Sequence, residues 1–109
     1  MTVEAFAKTA NLKSQCMPCP EKEVSGVYMG DLLSWVMGKA EAGDAWITIM
    51  SNVNVIAVAS LSDVSCVILA EGVTLDEEIL SLAVEKGINV LLTESSAYKT
   101  ATSVFTALK

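Results

Sequence analysis

The sequence predicts an α/β domain: a largely parallel sheet with helices on both faces, three layers in all. Three observations lead there. Ala45 to Met50, Ser65 to Ala70 and Ile88 to Thr93 are short, nearly continuous apolar runs, as expected of strands buried on both faces. The segments between and after them carry helical periodicity or capping residues. The gaps between the runs are long enough for the crossover of roughly a dozen residues that a parallel pair requires.

Taken in order, Thr2 caps a helix over Val3 to Ala10, with Val3, Phe6, Ala7 and Ala10 on one face. Leu12 to Met17 reads as a first, weak strand. Pro18-Cys19-Pro20 and Glu21-Lys22-Glu23 form a loop. Val24 to Tyr28 is β-prone, and Gly30-Asp31 leads into a helix with the stripe Leu32, Leu33, Val36, Met37 and Ala40, ended by Gly43; Trp35 projects off it. Val53 to Leu61 has the Val and Ile content of a strand. It stands between two strands that need a crossover, so it is read as a short buried helix opened by Ser51 or Asn52. Thr74 and Glu77 make a capping box for a helix that runs to Lys86 and stops at Gly87, with Asp76, Glu77 and Glu78 favourable at its start. Ser95 or Ser96 opens the last helix, with the stripe Ala97, Tyr98, Ala101, Val104, Phe105 and Leu108. With 109 residues, no internal repeat and no low-complexity linker, the chain is one domain.

Composition removes several function classes. The net charge is −6 and every basic residue is a lysine, so there is no bidentate clamp for phosphate and no basic patch for nucleic acid. There is no histidine, the commonest general base and metal ligand. The longest apolar stretch, Val53 to Leu61, is too short to cross a bilayer. Met1 to Leu12 lacks the basic-then-apolar layout of a signal peptide, and an odd count of three cysteines fits a reducing compartment; a cytoplasmic protein without a cofactor is expected. The apolar content of 52% implies an extensive core or a surface covered by a partner.

The blocks Gly26-Val27-Tyr28-Met29-Gly30-Asp31-Leu32-Leu33-Ser34-Trp35-Val36-Met37, Gly43-Asp44-Ala45-Trp46-Ile47-Thr48-Ile49, Asn54-Val55-Ile56-Ala57-Val58-Ala59 and Cys66-Val67-Ile68-Leu69-Ala70-Glu71-Gly72, then Asp76-Glu77-Glu78, resemble the DRTGG-domain family in their order. The resemblance spans Val24 to Thr93, roughly, and extends to the N-terminal domain of HPr serine kinase/phosphatase. It implies helices around a largely parallel sheet and a regulatory module, found elsewhere beside CBS or phosphotransacetylase domains. Of the name-giving Asp-Arg-Thr-Gly-Gly only Gly30-Asp31 survives; Leu32 stands where the arginine would, so no role of that arginine carries over.

Catalytic chemistry finds little support. A P-loop needs Gly-x-x-x-x-Gly-Lys-Ser/Thr, and no segment has it, so kinase activity by this chain alone is not expected and the chain is not read as an enzyme. Asp31 and Asp44 have structural explanations at a helix start and in a turn, with no nucleophile beside them. Cys16-Met17-Pro18-Cys19 is a Cys-x-x-Cys; two incidental loop cysteines are the simpler reading, with a redox pair or half of a metal site as the alternatives. Cys66, inside an apolar strand, is core.

Ligands of open parallel sheets bind beyond the carboxyl ends of the strands, where strand order reverses. That places the candidate ligand-binding residues at Gly30, Asp31, Ser51, Asn52, Glu71, Gly72, Ser95 and Ser96. Hydroxyls and helix N-terminal amides there suit a small anion, while Glu71 and Glu94 oppose one and favour a polar or cationic group; capping and turn formation account for the same residues without a ligand. Trp35, Val55 and Ile56 are candidate interface residues. The expected function is a non-catalytic regulatory module, homodimeric or docked on a larger enzyme or sensor, that binds a small anionic, nucleotide-like metabolite. The alternatives are a ligand-free assembly factor of a redox enzyme system and a small redox or metal protein using Cys16 and Cys19.

Overall fold

A computed structural model describes residues 1–109. Thr2 opens α1 (Val3–Thr9) by accepting the Ala5 amide on its Oγ1 at 3.2 Å. The helix ends on Asn11 in the left-handed region (φ 57°), with the Leu12 amide turned back onto the Ala7 carbonyl at 2.8 Å. This sharp stop sends the chain into β1 (Lys13–Cys16), and a loop then crosses to the far edge of the sheet. From β2 (Gly26–Met29) the chain alternates regularly: α2 (Leu33–Lys39), β3 (Asp44–Thr48), α3 (Val53–Ser62), β4 (Cys66–Leu69), α4 (Glu77–Glu85), β5 (Val90–Leu92) and α5 (Ala97–Ala107).

The strand order is β1-β5-β4-β3-β2; β2 to β5 are parallel, and β1 runs antiparallel to β5. Each parallel strand is laid down beside its predecessor in the same direction. Crossovers of one hand therefore place α2, α3 and α4 on one face. On that face Val36, Val55, Ile56, Ala59 and Ala83 pack on Trp46, Val67, Leu69 and Val90. On the other face α1 and α5 contribute Val3, Phe6, Val104 and Ala107 against Ala45, Ile47, Ile68 and Leu91. The alternation Ala45, Trp46, Ile47 is thus the period-two pleat read into two cores.

The three-layer α/β architecture and the helical character of Val53 to Leu61 agree with expectation, and Asn52 is the residue that caps α3, its Oδ1 accepting the Asn54 amide at 2.9 Å. Four details differ. No reversal of order occurs among the four parallel strands, because all of their connections advance the same way. Thr74 does not cap α4; Asp76 does, accepting the Ile79 amide at 3.0 Å, since Thr74 and Leu75 are held in the preceding loop. The stripes of α2 and α5 are narrower than their apolar content suggests: Leu32, Met37, Tyr98 and Phe105 face outward, and Thr100 and Ala107 take core positions on α5. Val55 and Ile56 are 0% and 1% exposed within the chain itself, so they offer nothing to a partner.

Candidate functional site

The carboxyl ends of the strands hold the expected residues, in three separate places. Gly30 and Asp31 clip β2 to β3. Asp31 Oδ1 accepts the Thr48 hydroxyl at 2.7 Å and the Ile49 amide at 3.1 Å, and the Gly30 carbonyl accepts the Trp46 indole N–H at 2.9 Å. Asp31 therefore serves the strand ends rather than the start of α2. Asp44 is likewise structural, its Oδ2 accepting the Glu41 amide at 2.8 Å. Ser51 and Asn52 lie in a groove between α3 and α4 whose other walls include Asp76, Glu78 and Glu85, acidic surroundings that oppose an anion.

Glu71, Gly72, Ser95 and Ser96 come together. The connection after β4 turns to the α4 face, and the one after β5 turns to the α5 face. Two neighbouring strands thus send their chains to opposite sides, and a crevice opens between them, the role expected of a reversal in strand order. The two connections are tied at the base: Glu71 N–H donates to the Ser95 carbonyl at 2.8 Å and Gly72 N–H to the Thr93 carbonyl at 3.0 Å. Both residues have positive φ, 62° and 76°, which lets two successive amides face the neighbouring loop. A β-carbon at Gly72 would lie 2.8 Å from a Glu94 carboxylate oxygen, so glycine keeps this corner open.

The crevice is a cavity of about 420 Å³ whose polar lining includes Asn11, Lys13, Thr74, Thr93, Glu94 and Ser95 beside Gly72. Lys13 reaches it from β1, the strand added beside β5, and joins neither of the chain's ion pairs, Met1 with Glu23 and Lys22 with Asp63. The N-terminus of α5 does not offer its amides to an external anion as expected. Ser96 Oγ accepts the Lys99 amide at 3.2 Å, and the Glu71 carboxylate accepts the Ala97 amide at 3.1 Å. The cation of the site is Lys13, which the sequence reading missed along with Asn11 and Thr74. A signal existed for Asn11, since asparagine after a helix marks a left-handed stop that aims the next residues onto a strand.

One further side chain holds the residue that follows Thr74 of this wall. Gln15, on β1, donates from Nε2 to the Leu75 carbonyl at 2.9 Å and accepts the Leu75 amide on Oε1 at 3.1 Å. The Cys-x-x-Cys sits at the other end of β1. Cys16 and Cys19 are free and half-buried, and no cluster of three or more His, Cys, Asp or Glu side chains exists to hold a metal. Burial raises the Cys16 thiol above its ordinary range, and Cys66, enclosed in β4, is pushed up to about 12 by desolvation.

A different surface lies along β2. The register sets Val27 and Met29 beside Ala45 and Ile47, on the face covered by α1 and α5, but two helices do not reach the sheet edge and both side chains stay exposed. Val27, Ala101, Phe105 and Leu108 line an apolar groove there, with Phe105 66% exposed. Trp35 is 57% exposed on α2, with the Lys39 ammonium 4.1 Å from the centre of its ring.

The DRTGG domain profile matches residues 22–107, most of the chain. The chain belongs to the DRTGG domain family. No curated protein matches it. A solved structure with the same fold is the CBS and DRTGG regulatory region of Clostridium perfringens pyrophosphatase, complexed with its activator diadenosine tetraphosphate, at a TM-score of 0.75 and 19% identity. The superposition covers 97% of this DRTGG chain and 46% of that one, so the present chain spans about half the length of the larger regulatory region. No helix of this DRTGG domain is long and apolar enough to cross a membrane.

Proposed function

We propose that this DRTGG domain is a non-catalytic regulatory module of the cytoplasm that binds a small anionic metabolite of the nucleotide class and passes its occupancy to a partner. The observation that carries the reading is the crevice between the β4 and β5 connections. It is of ligand size, rimmed by hydroxyl and amide groups, and supplied with one lysine free of internal ion pairs. Lys13 meets the anionic group; Thr74, Thr93 and Ser95 suit the hydroxyls of a sugar; Glu94 favours a ligand with a hydrogen-bond donor beside its charge. The nucleotide activator in the pyrophosphatase regulatory region supports the ligand class. Thermal unfolding with ATP, diadenosine tetraphosphate, ribose 5-phosphate and inorganic phosphate tests it. A concentration-dependent rise in Tm, lost in Lys13→Ala, is the expected result; no rise with any of them overturns it.

The exposed strip of Val27, Met29, Trp35 and Phe105 favours a partner-binding role beside the ligand site. The occupant that suits it best is a second copy. An edge strand without charge or proline can pair with its own copy about a twofold axis, giving a homodimer. A larger enzyme or sensor is the other occupant, and a chain that assembles but binds no metabolite is an assembly factor.

A further inference from the structure

Cys16 and Cys19 take no part in the function proposed above, yet both sulfurs lean on one dipeptide. Cys16 Sγ–H donates to the Ile88 carbonyl at 3.3 Å, and Cys19 Sγ lies 3.3 Å from where a β-carbon on Gly87 would stand. The chain bends at Pro18 between them. Asn89, 1% exposed, holds the loop in place: its Oδ1 accepts the Cys19 amide at 2.9 Å, and its Nδ2 donates to the Cys19 carbonyl at 2.7 Å and to the Ser65 carbonyl at 3.0 Å. Such a buried amide fixes one loop conformation, in which both thiols are free, half-buried and set against the same turn.

We propose that Cys16 and Cys19 form a reversible intrachain disulfide by exchange with a disulfide oxidant, and that this acts on the crevice through β1. The thiolate of Cys19, on the loop, attacks one sulfur of the oxidant and releases its first thiolate. Cys16 then gives its proton to solvent and attacks Cys19 Sγ, releasing the second. Two electrons pass from the cysteines to the oxidant, and the two protons leave on the released thiols. Cys16 suits the second role, because burial outweighs the backbone hydrogen bond from Val90 and keeps the thiol protonated until a nearby mixed disulfide forms. Cys66, enclosed in β4, stays out of the exchange.

The coupling runs along four residues. Lys13 lines the crevice, Gln15 grips Leu75, the residue next to Thr74 of its wall, and Cys16 is bonded to Ile88. The pairing of β1 with β5 is already irregular between Ser14 and Cys16, so this edge strand yields more readily than an inner one. Drawing Cys16 Sγ toward Cys19 breaks the bond to Ile88 and shifts Gln15, its chain neighbour. The module then reads thiol redox state as well as a metabolite. The disulfide itself does not depend on the ligand reading; its effect on the crevice rests on it.

The test uses the full chain equilibrated with oxidised glutathione, then alkylated and weighed whole and as peptides. The expected product is about 2 Da lighter than the reduced chain and unalkylated at Cys16 and Cys19, while Cys16→Ser stops at a glutathione adduct. A wild-type chain that gives only the adduct, or stays reduced, overturns the disulfide. Hydrogen exchange then reads the coupling, with the Leu75 amide exchanging about fivefold faster or more in the oxidised chain. Unchanged exchange over Gly72 to Asp76 overturns the coupling. A disulfide formed in a chain that binds no nucleotide leaves this site standing and removes the ligand reading alone.

Discussion

Gln15 and Leu75, sixty positions apart, share a pair of hydrogen bonds, 2.9 Å from the Gln15 Nε2 to the Leu75 carbonyl and 3.1 Å from the Leu75 amide to Gln15 Oε1. A side-chain amide thus does for an isolated loop what a neighbouring strand does for a ladder, and it joins the edge strand β1 to the residue that follows Thr74 of the crevice wall. Gln15→Ala is expected to cost about 1–2 kcal/mol and to speed exchange of the Leu75 amide. Gln15→Glu keeps an acceptor but turns an oxygen toward the Leu75 carbonyl, so it loosens the loop at least as much. Urea unfolding and hydrogen exchange check both variants.

Asn89 is the corresponding clamp at the other end of β1. Its three hydrogen bonds are made by a side chain enclosed in the protein, so removing it strands the Cys19 peptide and the Ser65 carbonyl. Asn89→Ala is expected to lower stability by about 2–3 kcal/mol. Asn89→Asp has no donors for those two carbonyls and falls at least as far. Equilibrium unfolding in urea measures the loss, and a value near zero would contradict this role.

Stability at alkaline pH follows from Cys66. Its thiol is raised to about 12 from the ordinary 9.0 because the thiolate is poorly solvated among the strands. The folded state therefore favours the protonated form. Its contribution is fully present below pH 9.0 and is lost as pH rises from there through about 12. The raised Cys16 acts in the same direction. Wild-type stability should fall over that interval more steeply than that of Cys66→Ala, by up to about 1.4 kcal/mol per pH unit. Parallel slopes in the two proteins would contradict the assignment.

Along β2, Val27→Lys and Phe105→Glu place charges in the apolar groove without touching the core. Each should change folding stability by less than about 0.5 kcal/mol. Each should also leave only monomer in analytical ultracentrifugation where the wild-type chain, on the proposed reading, is a homodimer. A monomeric wild-type protein, or variants that remain dimeric, would show that the second copy does not sit there.

What the sequence conveys follows from how locally each feature is determined. The strands are near-continuous apolar runs, and α3 follows from connectivity, since β3 and β4 can be parallel only with a crossover between them. The parts that were misread depend on tertiary placement. Val55 and Ile56 look available on a helix apolar all round, yet α2, α4 and the sheet enclose them. Tyr98 and Phe105 have helical spacing with Ala101, but the pitch of α5 on the sheet turns Thr100 and Ala107 inward beside the expected Val104. The candidate site was half visible. Glu71, Gly72 and Ser95 announce turns at strand ends, whereas Lys13 enters only because β1 pairs with β5, a contact between residues some eighty positions apart. Ser51, Asn52, Gly30 and Asp31 belong to the same edge of the sheet but to separate structural duties there.

The most direct test of the regulatory-module account is an amide NMR titration of the reduced protein with ATP and with diadenosine tetraphosphate. The account predicts saturable shifts confined to Asn11–Lys13, Gly72–Thr74 and Thr93–Ser95, absent in Lys13→Ala. No shift at millimolar ligand, or shifts centred on the acidic groove between α3 and α4, would contradict it.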